Sequence, residues 1–195
     1  RADAPAGKFQ KLQILSVSPT EWTFRYGKPD DPEGTTVTLT KDPRYAQTLF
    51  SFDDGLISFV EPPLEQWHLL FTRYTYDFSK AENAGPDYKF YSVTGALLNH
   101  FWGVKAAKLT PQTPGYVPFD SLKSQDVEKF VLSEGRDVVG YDWKEYSLQT
   151  ALYQVVPDVY YLIRTPDDEY YKLRFTSFYN ASGRRGVPQF EYRRL

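Results

Sequence analysis

The chain has no cysteine, no methionine and only two histidines among its 195 residues. Without cysteine there can be no disulfide, zinc finger, thiolate nucleophile or iron–sulfur cluster. Without methionine there is no thioether to hold a metal. The missing cysteines suit a reducing or an oxidising compartment equally well. Long apolar runs are missing too: no stretch reaches the roughly 18 residues that a membrane-spanning helix needs. The first residues, Arg1 to Gly7, have no secretory signal pattern. They read as a polar lead-in, and residues 1–10 are expected to be a tether at a mature or trimmed N-terminus.

Charge of either sign is not in surplus. Twenty-three basic residues face 25 acidic ones, for a net charge of -2. A nucleic-acid partner needs a basic excess or stripe, so it is not expected. The late arginines Arg184, Arg185, Arg193 and Arg194 read as solvated charge beside a turn and at a terminus. Catalytic patterns are also lacking. No glycine-rich loop follows a strand and opens a helix, and no serine near His68 or His100 carries a nucleophile-elbow signature. The carboxylate pairs Asp30-Asp31, Asp53-Asp54 and Asp167-Asp168 fall in turns, where aspartate bonds its own backbone. The pattern predicts a protein that is not an enzyme.

What the chain does have is aromatic side chains, 17% of the total, including 16 Tyr and 14 Phe. They concentrate in strand-like segments. The most concentrated is Trp67-His68-Leu69-Leu70-Phe71-Thr72-Arg73-Tyr74-Thr75-Tyr76. As a strand it shows Trp67, Leu69, Phe71, Arg73 and Thr75 on one face. His68, Leu70, Thr72, Tyr74 and Tyr76 take the other. That second face mixes apolar bulk with hydroxyls and an imidazole. It fits a half-buried strand or a ligand-facing one.

The rest reads as one all-β domain over 11–195, mainly antiparallel, with one short helix. Leu12 to Val17 and Trp22 to Tyr26 form a pair around Ser18-Pro19-Thr20-Glu21. Thr35 to Thr40 alternates as a strand, and Asp53-Asp54-Gly55 is a tight turn between two short strands. Ser79 to Asp87 is a polar loop, and Tyr88 to Leu98 returns as strand. Asn99-His100-Phe101-Trp102-Gly103 then interrupts, as a packed turn or a ligand-facing loop. Thr110 to Pro118 is a loop. A helix is expected next, capped by Asp120 or Ser121, with Val127, Phe130 and Val131 on one face and Gly135 at its end. Val159 to Arg164, Tyr170 to Tyr179 and Val187 to Tyr192 predict a three-stranded meander, with Pro188 marking an edge strand.

Binding suits this composition better than catalysis. Tyrosine-rich β scaffolds stack flat ligands and hydrogen-bond them through phenols. For an iron-bearing ligand the only donors here are His68, His100 and the tyrosines.

Three segments resemble the HmuY family of Bacteroidetes surface lipoproteins. They are Trp67 to Tyr74, Gly140-Tyr141-Asp142-Trp143-Lys144-Glu145-Tyr146, and the closing stretch from Val159 through Tyr171-Lys172-Leu173-Arg174-Phe175 to Pro188-Gln189-Phe190-Glu191-Tyr192. The resemblance runs from about residue 50 to the end. It implies haem held between strand layers, export to the outer membrane and cell surface or secretion, and a lipid anchor before Arg1. It also implies delivery of cargo to a TonB-dependent receptor. The family archetype has a histidine where this chain has Thr72. It has an axial histidine near the position of Leu148, and another in a loop for which His100 is the nearest substitute. Bis-histidine ligation therefore does not carry over. The resemblance leaves His100 or His68 as one ligand with a tyrosine as the other, Tyr74 and Tyr76 lying on the same strand. It also leaves a ferric siderophore as cargo. A reading of another class is a protein-interaction subunit of an outer-membrane transporter or assembly complex, with no small-molecule cargo.

Overall fold

The computed structural model describes residues 9–55, 57–58, 60–80 and 90–195. Most of the expected tether, and residues 81–89 of the expected polar loop and following strand, lie outside the described residues. The fold is all-β, as the alternation predicts. It clusters into two compact units that divide between Leu64 and Glu65, where one domain over 11–195 is expected.

The first unit holds an antiparallel three-stranded sheet of β1 (Lys11–Val17), β2 (Glu21–Gly27) and β3 (Thr35–Thr40), in that order. The β1–β2 turn closes locally: Ser18 Oγ accepts from the backbone N–H of Thr20 and Glu21. Before β3, the Asp31 carboxylate accepts from the N–H of Glu33 and Gly34, and those bonds hold it below the usual carboxylate range. β4 (Leu49–Phe50) and β5 (Ile57–Ser58) pair around the Asp53-Asp54-Gly55 segment, so these aspartates lie in a turn. Phe24, Tyr26, Phe50 and Phe52 pack at tilted and edge-to-face angles as this unit's aromatic core.

The second unit carries a two-stranded ribbon and a larger sheet. β6 (Leu69–Asp77) pairs with β7 (Phe90–Leu98) without a register break, from Leu69 opposite Leu98 to Asp77 opposite Phe90. β8 (Lys105–Leu109) comes next. A small hairpin follows, β9 (Lys144–Ser147) with β10 (Leu152–Val155). β11 (Tyr160–Arg164), β12 (Tyr170–Tyr179) and β13 (Arg185–Arg194) form the expected meander. β8 joins its far side, giving the order β13-β12-β11-β8. Pro188 lies on β13, an edge strand, where its missing N–H breaks no central ladder.

At β11 the sheet is buried on both faces, whereas the edge strand β13 is largely exposed. Strand alternation sends Tyr161, Ile163, Leu173 and Phe175 to one cluster with Trp143, Leu98 and Val104. It sends Tyr160 and Leu162 to another, with Phe119, Leu122, Val127 and Phe130. This double burial accounts for the unbroken apolar run Tyr160-Tyr161-Leu162-Ile163.

The expected helix needs correction. Among the described residues there is no α-helix; the segment is a 3₁₀ turn of six residues, Ser124–Lys129, with Lys123 as its N-cap. Asp126 fastens it, accepting from the Lys123 N–H and the Lys129 ammonium. Phe130 already has extended backbone, so the next residue points the other way: Phe130 is buried and Val131 is 94% exposed. Six residues are too few to offset helix nucleation without a longer apolar stripe.

Candidate functional site

Where β6 begins, the ribbon faces β12 and β13. Phe71 of β6 stacks on Phe190 of β13, with centroids 5.3 Å apart and planes 18° apart, and meets Phe175 of β12 edge-on. Beside this contact lies a cleft of about 460 Å³. Gln66, Trp67, His68, Leu69 and Phe71 line one side, and Ile163, Thr165, Tyr171, Leu173, Phe190 and Tyr192 the other. Its size falls within the range of small-molecule sites, and its walls are apolar and aromatic with few polar groups.

Asn99 fixes the Trp67-His68 wall. Its side chain is fully buried. Its Nδ2 donates to the Trp67 carbonyl at 2.9 Å, and its backbone N–H donates to the His68 carbonyl at 2.9 Å. Its Oδ1 accepts from the Trp102 N–H at 3.1 Å. One side chain thus ties the start of β6 to the turn after β7. His68 itself is exposed on the cleft wall. The Trp67 indole N–H is buried and has no partner in the structure. Tyr171 reaches Glu169 at 2.6 Å, and that hydrogen bond pushes its phenol up from the ordinary value.

The other residues singled out from the sequence lie elsewhere. His100 is outside the cleft lining: it opens the 3₁₀ turn His100–Trp102, with its ring 4.0 Å from that of Phe101 and Nδ1 3.4 Å from the Leu98 carbonyl oxygen. Tyr74 and Tyr76 share a face of β6 beside Tyr141. The Tyr76 ring meets those of Phe78 at 4.9 Å and Tyr141 at 4.8 Å. The Tyr74 hydroxyl is buried without a partner, and burial followed by the nearby Asp137 and Asp142 carboxylates pushes it well up. Thr72 donates to the Arg73 carbonyl at 3.3 Å and lines a separate cavity of about 350 Å³ with Trp143 and Gly95. Leu148 is 89% exposed in the turn between β9 and β10. The structure therefore brings one of the six residues, His68, to the cleft. The facing residues Tyr171, Phe190 and Tyr192 were legible as strand but not as its partners, because the side-chain contact of β6 with β13 spans over 100 residues. Asn99 carried one signal: a polar side chain directly after an apolar strand end.

Comparison with known proteins adds the following. Residues 35–192 match a family model described as HmuY protein. Two solved structures align. A protein described as an HmuY-like haem-binding protein from Bacteroides vulgatus ATCC 8482 is 16% identical, over 93% of this chain and 97% of that one, with a TM-score of 0.31. A protein described as a lipoprotein from Bacteroides fragilis NCTC 9343 is 18% identical, over 56% of this chain and 69% of that one, with a TM-score of 0.30. Among curated proteins there is no significant match.

Proposed function

The chain belongs to the HmuY family, and on that premise we propose that it is a non-enzymatic surface protein that binds haem, or another flat iron chelate, in the cleft beside His68. The observation that carries this reading is a single imidazole on the wall of a cleft otherwise built from aromatic and aliphatic side chains. A macrocycle needs such walls to stack against and one nitrogen to hold its iron. The stacked pair Phe71 and Phe190 sits beside the cleft, between the ribbon and the sheet, which is where the family is expected to hold haem. His68 would supply a nitrogen donor to the iron, and Tyr171 and Tyr192 on the facing wall are the phenols that the same cleft would offer it. Leu148 has no donor atom and His100 lies outside the cleft lining, against Phe101, so neither would hold an iron bound beside His68. Trp67 adds an aromatic surface to the same wall as His68. We also read residues 11–195 as one HmuY-like domain in two units, because the family match runs across their division. Location at the outer membrane through a lipid anchor, and hand-off to a TonB-dependent receptor, belong to the same proposal.

The test is a haemin titration followed by visible absorbance. Wild type and His100→Ala should sharpen the Soret band alike, and His68→Ala should lose the change. A wild-type spectrum identical to free haemin refutes haem as the cargo. Tryptophan quenching by ferric catecholates, with unchanged haemin spectra, would then favour a siderophore in the same cleft.

A further inference from the structure

A second cavity, of about 660 Å³, opens on the other part of the ribbon, against the β9–β10 hairpin. Its chemistry differs from that of the His68 cleft. Arg73 of β6, Lys144 of β9 and Arg185 of β13 line it, against one carboxylate, Glu145. In a chain of net charge -2 this is a local surplus of positive charge. The rest of the wall is aromatic. Tyr146 and Tyr153 meet edge to face at 5.2 Å, and Tyr153 meets Phe178 at 5.1 Å, so these rings hold one another in place.

Lys144 is built into this wall. Its side chain is buried, and its ammonium lies 4.3 Å from the Trp143 ring centroid and 4.7 Å from that of Phe178. It donates to the Thr94 carbonyl at 2.7 Å and to the Tyr141 carbonyl at 3.1 Å. An ammonium has three N–H bonds, so one is left for a ligand oxygen. Desolvation brings its pKa down to about 8, so the charge is costly to keep there and an anion would relieve that cost. The arginines are available as well. Arg174, Arg193 and Arg194 are drawn into ion pairs with Asp120, Glu191 and Glu169. Among the described residues Arg73 and Arg185 have no carboxylate at ion-pair distance; Arg73 only reaches Ser92 Oγ, at 3.4 Å.

We propose that this cavity is a second binding site, for a planar aromatic anion such as a fused-ring carboxylate. The ring stacks among Tyr146, Tyr153 and Tyr91, and the carboxylate meets Lys144 and the two arginines. Cations over aromatic walls recognise this combination of flat face and negative edge, and a neutral ring of the same shape forgoes the charge-assisted bonds.

The test uses the whole protein and two probes, 2-naphthoate and the neutral 2-naphthol, in isothermal titration. Naphthoate should bind at least tenfold more tightly than naphthol. The pair of changes Arg73→Gln and Arg185→Gln, both at exposed positions, should weaken naphthoate at least tenfold and leave naphthol unchanged. His68→Ala should bind naphthoate like wild type, which separates this site from the haem cleft whatever the fate of that reading. Equal affinity for the two probes, no naphthoate binding at millimolar concentration, or a loss on His68→Ala that the arginine changes do not produce would each overturn the proposal.

Discussion

Gly95 of β7 is the position where a single methyl group should do most damage. By strand propensity alone, alanine would be an improvement, because glycine inside a strand costs about 0.5–1 kcal/mol relative to alanine. The structure predicts the opposite sign. A Cβ built on Gly95 would lie 2.2 Å from the Gly140 carbonyl oxygen and 2.6 Å from its carbonyl carbon, both backbone atoms. Ordinary contact begins near 3.4 Å, so the segments must part by about 1 Å. The contact they would lose is the bridge beside it, in which the Ala96 N–H donates to the Gly140 carbonyl and the Gly140 N–H to the Ala96 carbonyl, both at 2.9 Å. Two hydrogen bonds at about 1 kcal/mol each, with about 1–3 kcal/mol of overpacking, outweigh the propensity gain. Gly95→Ala should therefore destabilise by about 2–4 kcal/mol. The displaced segment leads into Trp143, which stacks on Phe175 at 3.9 Å. Urea unfolding followed by tryptophan fluorescence should show a midpoint lower by about 1–2 M, given the usual slope of about 1–3 kcal/mol per molar. An unchanged or raised midpoint would refute the reasoning, and with it the close approach of β7 to the segment that carries Trp143 and Lys144.

Four further outcomes are expected. Lys144 is protonated less readily in the fold than in the unfolded chain, so from about pH 8 to 10.5 the unfolded state carries the extra proton and stability rises with pH. Wild type should gain on Lys144→Met between pH 7 and pH 9.5 in urea titrations, and a constant difference between them would contradict this. Burial pushes the hydroxyls of Tyr74 and Tyr161 up, so they keep their protons after those of the unfolded chain begin to leave near pH 10; stability should fall beyond that point, more steeply than in Tyr74→Phe. Asn99→Ala strands the Trp67 carbonyl, while the Trp102 N–H keeps the backbone carbonyl of residue 99 at 3.2 Å; the change should cost about 1–3 kcal/mol in thermal unfolding and weaken haemin binding, although Asn99 does not line the cleft. Val131→Asp should shift the midpoint by less than about 0.5 kcal/mol equivalent, because that side chain is in solvent.

Much of the strand order could be read along the chain, because alternation and turn chemistry are local. Trp22 to Tyr26, Thr35 to Thr40 and Tyr170 to Tyr179 each carry β-branched or aromatic residues between turn formers, and each is a strand. β8 gave no such signal. Lys105-Ala106-Ala107-Lys108-Leu109 is strand because the edge of β11 accepts it, and its small residues are buried where bulkier ones would not pack. The helix after Pro118 was overread: Val127, Phe130 and Val131 have helical spacing, but Phe130 has extended backbone. The cleft was harder still. Two histidines could be named, but their difference could not. His68 stands on an open wall while His100 is folded against Phe101, and Asn99 between Leu98 and His100 sets that difference through bonds to residues 32 and three positions away. The rings that face His68 lie beyond residue 160, and only the meander's register puts them there.

The double burial at β11 separates two kinds of constraint. Successive residues of β11 answer to different neighbours: Tyr161 to Trp143 and Phe175, Tyr160 to Phe119 and Tyr116. A change of side chain on one face leaves the packing of the other untouched, so the cleft-facing layer can vary its chemistry without renegotiating the foundation beneath it. The amides of β11, shielded above and below and bonded on both edges, should be the last in the molecule to exchange with solvent.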